Sequence, residues 1–419
     1  MRTVPASRHN RAVTRSRTAF VLLAAAVLAA GCGGPAAPSA TPDTTVPYST
    51  APPAGTVSAA PLPNPAERGQ VTASEPFTGT DGLVGQKILY RSTSGIDGRG
   101  TEVSGTVFAP AGTPPPGGWP VVTVGHPTTG LLDECAPSRH PNLLGEAGPV
   151  RDLLGRGFVV AVTDYEGLGT DGPHPYLEPI TAAYNVIDAV RAARFLIPDV
   201  SPRWAAIGVS QGGQAAWAAA ERAAEYGDGL EFVGSAALSP PADLSPIVSD
   251  GPPNLDLPQQ MFLPMLLDGL SVSHPELDPS AYIRGPLTEN RDVLRACTGP
   301  LKSRKLSVAL SLTPADTLPR SDDDVARMRE WLARDALPQR PASGPMLVVI
   351  AGRDNLIRAD WTIAAVGRAC GIGDVIEMRY RADDVHADAR AMPGAFDWLS
   401  GRFTGAPVVD TCAGGGPTS

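Results

Sequence analysis

Two hydrophobic periods run along the chain. QKILYRS (86–92) and EVSGTVFAP (102–110) alternate apolar and polar positions on either side of the turn-rich IDGRG, the pattern of paired strands. Short, continuous apolar runs follow: WPVVTVGHP (119–127), FVVAVTD (158–164), RWAAIGVS (203–210) and FVGSAALS (232–239). Stretches with helical spacing separate them. GPVRDLLGRG (148–157) ends in a Gly stop, and ITAAYNVIDAVRAARFL (180–196) places Ile180, Ala183, Tyr184, Ile187 and Val190 on one face. The alanine-rich QGGQAAWAAAERAAEYG (211–227) stops at Gly227. Buried strands alternating with such helices predict a parallel sheet covered on both faces.

The rhythm breaks at residue 240. Residues 240–343 are Pro-rich and predict helices in pieces, clearest in QQMFLPMLLDGL (259–270) and DDDVARMREWLARDAL (322–337). The second opens on three Asp and has Arg334 near its end, as the helix dipole prefers. The strand–helix alternation resumes with PMLVVIAGRD (345–354), DWTIAAVGRAC (360–370), VIEMRYR (375–381) and a last helix near 393–401. An α/β core over 76–239 and 344–419 is therefore expected, with 240–343 as a helical cap over the carboxyl edge of the strands. Met261, Phe262, Leu263, Met265, Leu266 and Leu267 would form the cap's own core, or else line an acyl pocket.

The N-terminus follows a different grammar. Arg2, Arg8, Arg11, Arg15 and Arg17 precede the apolar run FVLLAAAVLAA (20–30) and Gly31-Cys32. The run is too short for the ~17–25 residues of a membrane span but suits a signal peptide. Residues 1–31 are read as a leader, and small residues before Cys32 resemble a lipobox, in which the cysteine is acylated. Residues 32–75 read as a tether: from Gly33 to Glu75 there are nine Pro, nine Ala and only four charges. The expected location is outside the cell membrane, lipid-anchored or secreted.

The formal charge is −9, and without the leader the chain holds 29 basic against 43 acidic residues, or −14. This argues against nucleic acid or an anionic bilayer as an electrostatic partner. The remaining cysteines, Cys135, Cys297, Cys370 and Cys412, form an even set in an exported chain and predict two disulfides, with three pairings open. Their spacing is not that of a zinc site.

The chemistry centres on AAIGVSQGGQ (205–214). Ser210 falls where a buried strand meets a helix, flanked by Gly208, Gly212 and Gly213. Such a turn lifts a hydroxyl clear of the backbone and aims a helix N-terminus at a developing oxyanion. A serine needs a base held by a carboxylate. Of the six His, only His274 and His386 lie beyond Ser210. His274 sits inside the cap, in SVSHPELD. His386 lies in RADDVHADAR, just after the strand VIEMRYR, and Asp354 ends the preceding strand. Asp383, Asp384 and Asp388 are read as solvated loop charges. The order Ser210, Asp354, His386 on successive strand ends is that of α/β-hydrolases. The Gln211 N–H and, from the loop GHPTTG (125–130), the Thr128 N–H are the expected oxyanion donors, because Pro127 has none. His126 reads as a loop-shaping residue.

GHPTTG with LLDECAPS (131–138), TDYEGLGTDGPHPYL (163–177) and GVSQGGQAAWAAAE (208–221) resemble the secretory lipases, typified by fungal lipase A enzymes and their actinobacterial relatives. The resemblance spans roughly residues 76–412. It implies an α/β-hydrolase fold with a helical lid, hydrolysis of carboxylic esters or triacylglycerols, and neither a metal nor an organic cofactor. It also implies the pairings Cys135–Cys297 and Cys370–Cys412. The family usually has Gly where this chain has Pro127. The expected activity is ester hydrolysis through an acyl-enzyme on Ser210 by a monomer. An acyltransferase or peptidase with the same triad, or a non-catalytic surface lipoprotein, are the alternatives.

Overall fold

The computed structural model describes residues 65–248, 255–299 and 301–414. The expected leader, Cys32 and most of the expected tether lie outside the described residues. Nine strands form one sheet: β1 (Val71–Thr78), β2 (Val84–Thr93), β3 (Gly100–Phe108), β4 (Trp119–Gly125), β5 (Val159–Thr163), β6 (Val200–Val209), β7 (Glu231–Leu238), β8 (Met346–Ala351) and β9 (Ile376–Arg381). Their spatial order is β1-β2-β3-β5-β4-β6-β7-β8-β9. The first three pair antiparallel, β3 meets β5 antiparallel, and β5 through β9 run parallel. This is the expected mostly parallel α/β-hydrolase arrangement. One boundary moves: β1 begins at Val71, inside the stretch read as tether. Its residues alternate in burial, with Val71 and Ala73 inward, so a modest apolar alternation is rescued by pairing with β2.

Among the described residues ten α-helices accompany these strands: α1 (Ala147–Gly155), α2 (Pro179–Leu196), α3 (Gln211–Tyr226), α4 (Leu257–Ser273), α5 (Pro286–Glu289), α6 (Arg291–Arg295), α7 (Lys302–Ser311), α8 (Asp322–Arg334), α9 (Ala359–Gly371) and α10 (Met392–Phe403). Strand alternation sorts the core into two layers. Val121, Val159, Ala161, Trp204, Ala206, Met346 and Val348 face α2, α3 and α9. Val122, Val124, Val160, Val162, Ile207, Leu347 and Val349 face α1 and α10. The interior parallel strands, β4 to β8, are thus largely buried on both sides, which is why their sequences read as apolar runs; the edge strand β9 (IEMRYR) is mostly only partly buried.

Helices α4 to α8 lie between β7 and β8, in the predicted helical insertion. They hold a separate core in which Phe262, Leu263, Leu266 and Leu267 are buried, with Met261 and Met265 packed at its margin. Of the two readings of that apolar run, the insertion's own core is the one observed. This core includes Leu131, Tyr176 and Leu177 from the loops after β4 and β5, and Ile357 and Trp361 from beyond β8. Those loops leave the carboxyl ends of the strands, so the insertion packs on that edge. The disulfide Cys135–Cys297 joins the loop after β4 to the insertion, and Cys370–Cys412 joins α9 to the C-terminal segment. Both pairings are those implied by the family resemblance.

Candidate active site

The chain leaves β4 for β5 on one side and then crosses to β6 on the other. The loops after β4 and β6 consequently diverge at the carboxyl edge, the place where such sheets bind ligands. Ser210 stands at this point as the N-cap of α3, with φ 54° and ψ −119°. That backbone is costly for a residue with a Cβ, by about 1–3 kcal/mol, and is held by its surroundings. The Ser210 N–H donates to Leu238 O at 2.9 Å, and Ser210 O accepts from Gln214 N at 3.0 Å.

Glycine makes the turn possible by allowing contact between backbones. A Cβ on Gly208 would sit 2.1 Å from Gly212 O, and one on Gly212 would sit 1.8 Å from Gly125 O. The two flanking glycines of Ser210 are therefore needed because α3 leans directly on the ends of β4 and β6.

Three distant side chains meet here. His386 Nε2 lies 2.8 Å from Ser210 Oγ, and His386 Nδ1 lies 2.6 Å from Asp354 Oδ2. The other Asp354 oxygen accepts the N–H groups of Leu356 and Ile357 at 2.9 and 2.8 Å. A carboxylate held by two backbone donors cannot rotate away, so the imidazole has a fixed partner. Ser210, Asp354 and His386 are 8 %, 7 % and 7 % exposed, which keeps the chain of hydrogen bonds out of bulk water. Such an arrangement can move a proton from a hydroxyl to an imidazole while a carboxylate stabilises the imidazolium.

The loops bearing the acid and the imidazole are knitted together. Gly352 N donates to Arg381 O and Arg353 N to Asp384 O, each at 2.9 Å. Asp384 corrects one expectation. It is buried rather than solvated, its carboxylate paired with Arg381 and, at 2.8 Å, with Arg390. Three acidic residues around one histidine gave no sign of which would turn inward. His274 ends α4 and stacks on Trp331 at 4.8 Å, within the insertion.

Of the expected oxyanion residues, Gln211 is the first residue of α3 and Thr128 lies on the loop after β4. Among the described residues neither N–H has an intramolecular acceptor. The Thr128 hydroxyl and Tyr176 hydroxyl are 2.5 Å apart. Below them the His126 ring is buried, with Nδ1 2.7 Å from Pro127 O and Nε2 3.3 Å from Asp164 O. Burial pushes its pKa down. It braces the loop, as expected, together with Tyr165, whose hydroxyl donates to His126 O at 3.1 Å.

Sequence reasoning passed over His174. Its Nδ1 contacts Glu166 O at 2.7 Å and its Nε2 contacts Gln211 Nε2 at 2.9 Å. Since a carbonyl only accepts, Nδ1 carries the proton and Nε2 accepts from the Gln211 amide. Burial lowers its pKa to about 4, so the ring is neutral. The only sequence signal is its place within TDYEGLGTDGPHPYL, ahead of Ser210, whereas a base in this chain order follows the serine.

Comparison with known proteins agrees with the architecture. The chain is similar to Candida antarctica lipase A in its closed state, with 18 % identity, a TM-score of 0.64, and coverage of 84 % of this chain and 89 % of that one. It is also similar to the rice cell wall degrading esterase of Xanthomonas oryzae, with 20 % identity, a TM-score of 0.60, and coverage of 80 % and 96 %. At such identities the likeness speaks for the fold. A Mycobacterium tuberculosis protein described as a "Probable inactive lipase" is 27 % identical over 347 residues, 77 % of this chain and 74 % of that one. The secretory lipase profile matches residues 146–411, which include Ser210, Asp354 and His386. By that match over most of its length, the chain belongs to the secretory lipase family.

Proposed function

We propose that the protein is an exported serine hydrolase that cleaves carboxylic esters of the lipase and esterase class. The observation that carries this reading is the hydrogen-bonded line from Asp354 through His386 to Ser210, 2.6 and 2.8 Å long. His386 removes the Ser210 proton as Oγ attacks the ester carbonyl. Asp354 holds the tautomer with its proton on Nδ1 and steadies the imidazolium. The N–H groups of Gln211 and Thr128 receive the oxyanion of the tetrahedral intermediate. His386 then protonates the departing alcohol, leaving an acyl group on Ser210. Water, deprotonated by His386, repeats the addition and frees the acid.

Export rests on the basic, then apolar leader of residues 1–31, and acylation of Cys32 would anchor the domain through its Pro/Ala-rich tether. Metabolic labelling with a fatty-acid analogue, lost in Cys32→Ala, is the corresponding test.

The description of one relative as inactive favours a second reading, a binding module that kept the fold. Hydrolysis of p-nitrophenyl esters of graded chain length, with fluorophosphonate labelling, separates the two. The hydrolase reading expects turnover and labelling that both vanish in Ser210→Ala. A folded protein that neither turns over nor labels is the binding module.

A further inference from the structure

The loop after β5 carries His174 and Tyr176, two residues apart, and each grips a different candidate oxyanion residue. His174 takes the Gln211 side-chain amide at 2.9 Å, and Tyr176 shares a 2.5 Å hydroxyl contact with Thr128. Gln211 arrives from β6 and Thr128 from β4, so their two N–H groups have no covalent reason to stay in register. We infer that His174 and Tyr176 are positioning residues that set the spacing of the two oxyanion donors by holding the Gln211 and Thr128 side chains. This rests on the serine hydrolase reading above.

The hold is rigid at its base. His174 is tied to Glu166 O, while Glu166 N donates to Asn185 Oδ1 on α2 at 2.9 Å. The His174 ring stacks on Tyr165 at 5.9 Å with 19° between planes, and Tyr165 supports the β4 loop through His126 O. Tyr176 is pressed from the other side by the insertion. Its ring meets Phe262 at 6.0 Å, and a Cβ on Gly269 of α4 would lie 2.2 Å from Tyr176 O. A single segment, His174-Pro175-Tyr176, therefore bridges the sheet, both oxyanion loops and the insertion.

Gln211 shows why the amide contact matters. The residue is 3 % exposed, and its Oε1 has no partner among the described residues. The bond to His174 is thus what locates the buried side chain, and the same residue supplies one of the two proposed oxyanion N–H groups. Misplacing an oxyanion donor weakens only interactions made in the transition state, so the loss belongs to kcat and not to KM.

The test uses full-length protein and p-nitrophenyl butyrate, with kcat, KM and Tm measured for His174→Ala, His174→Gln, Gln211→Ala, Tyr176→Phe and the His174→Ala/Gln211→Ala pair. His174→Ala and Gln211→Ala should each lower kcat about 10–100-fold with KM within about threefold, since removal of a whole donor costs roughly 100–1,000-fold. The double variant should be no worse than either single one, because both break one bond. His174→Gln, which returns an acceptor at similar reach, should recover kcat to within about tenfold. Tyr176→Phe should lower kcat by about tenfold. Unchanged kcat in both single variants, or losses that multiply in the pair, would overturn the inference. If His174→Ala does not fold, Gln211→Ala and His174→Gln carry the same comparison. A wild-type protein that neither hydrolyses ester nor reacts with fluorophosphonate removes the hydrolase reading, and this inference with it. An active wild type with indifferent variants removes the inference alone.

Discussion

The Cα of Gly212 passes so near Gly125 that a methyl group there would fall 1.8 Å from the Gly125 carbonyl oxygen. The turn at Ser210 and the end of β4 therefore share a contact that admits no side chain. Gly212→Ala must push α3 away from β4, carrying the Gln211 N–H and Ser210 with it. We expect destabilisation of at least about 3 kcal/mol and a loss of activity near 100-fold in whatever protein folds. Gly367→Ala is the control: it lies in α9, where a Cβ meets nothing within 4 Å, and should stabilise by about 0.5–1 kcal/mol. Urea titrations with ester assays of both variants check this; a normal Gly212→Ala enzyme would refute it.

The two disulfides should separate stability from activity. Cys135–Cys297 closes 162 residues and Cys370–Cys412 closes 42, so chain entropy alone assigns them about 5 and about 4 kcal/mol. Only the first adjoins the site. Beside it, Leu131 N donates to Arg295 O and Thr298 N to Thr129 O, each at 2.8 Å, binding the Thr128 loop to the insertion. Cys135→Ser/Cys297→Ser should lower both Tm and kcat. Cys370→Ser/Cys412→Ser should lower Tm with kcat kept within about twofold. Equal kcat losses in both pairs would contradict the link between the insertion and the Thr128 loop.

Much of this was legible in the chain because burial on both faces leaves a plain signal. The parallel strands from β4 to β8 read as short apolar runs, and Ser210 and Asp354 each follow the end of one, while His386 follows the more polar edge strand β9. What escaped lies where tertiary contact overrides local pattern. The first part of β1, residues 71–75, looked like tether because the strand's ladder comes wholly from β2, seen only in three dimensions. On α2 one apolar face was expected, yet Asn185 and Asp188 are also fully buried, satisfied by Ser92, Tyr226 and Arg191. No periodicity reveals a polar residue buried against a polar partner. His174 was hidden for the same reason, since its role depends on a glutamine 37 positions away.

Asp354 offers the most direct check on the proposed chemistry. Asp354→Asn keeps size and can still accept the Leu356 and Ile357 N–H groups, so the fold should persist. Its amide cannot fix the proton on His386 Nδ1, and kcat at neutral pH should fall by roughly three to four orders of magnitude. Circular dichroism with initial-rate kinetics reads this out. A variant retaining a tenth of wild-type kcat would show that another carboxylate serves His386.

Glu221 ties stability to pH away from the site. It lies on α3, 2 % exposed, with Oε2 accepting the Gln339 N–H at 3.0 Å and Oε1 unpartnered among the described residues. Burial pushes its pKa up to about 7. The folded protein therefore retains a proton that the unfolded chain releases near pH 4.5, and stability falls as pH rises between those values. Above pH 7 the buried carboxylate is ionised and the full cost persists. Glu221→Gln cannot ionise, so its stability relative to wild type should improve steadily from pH 5 to pH 8, by about 2–3 kcal/mol in all. Denaturant midpoints of the two proteins at four pH values measure the difference directly. A gap that stayed constant, or narrowed toward pH 8, would mean that Glu221 is already ionised and well solvated in the folded state.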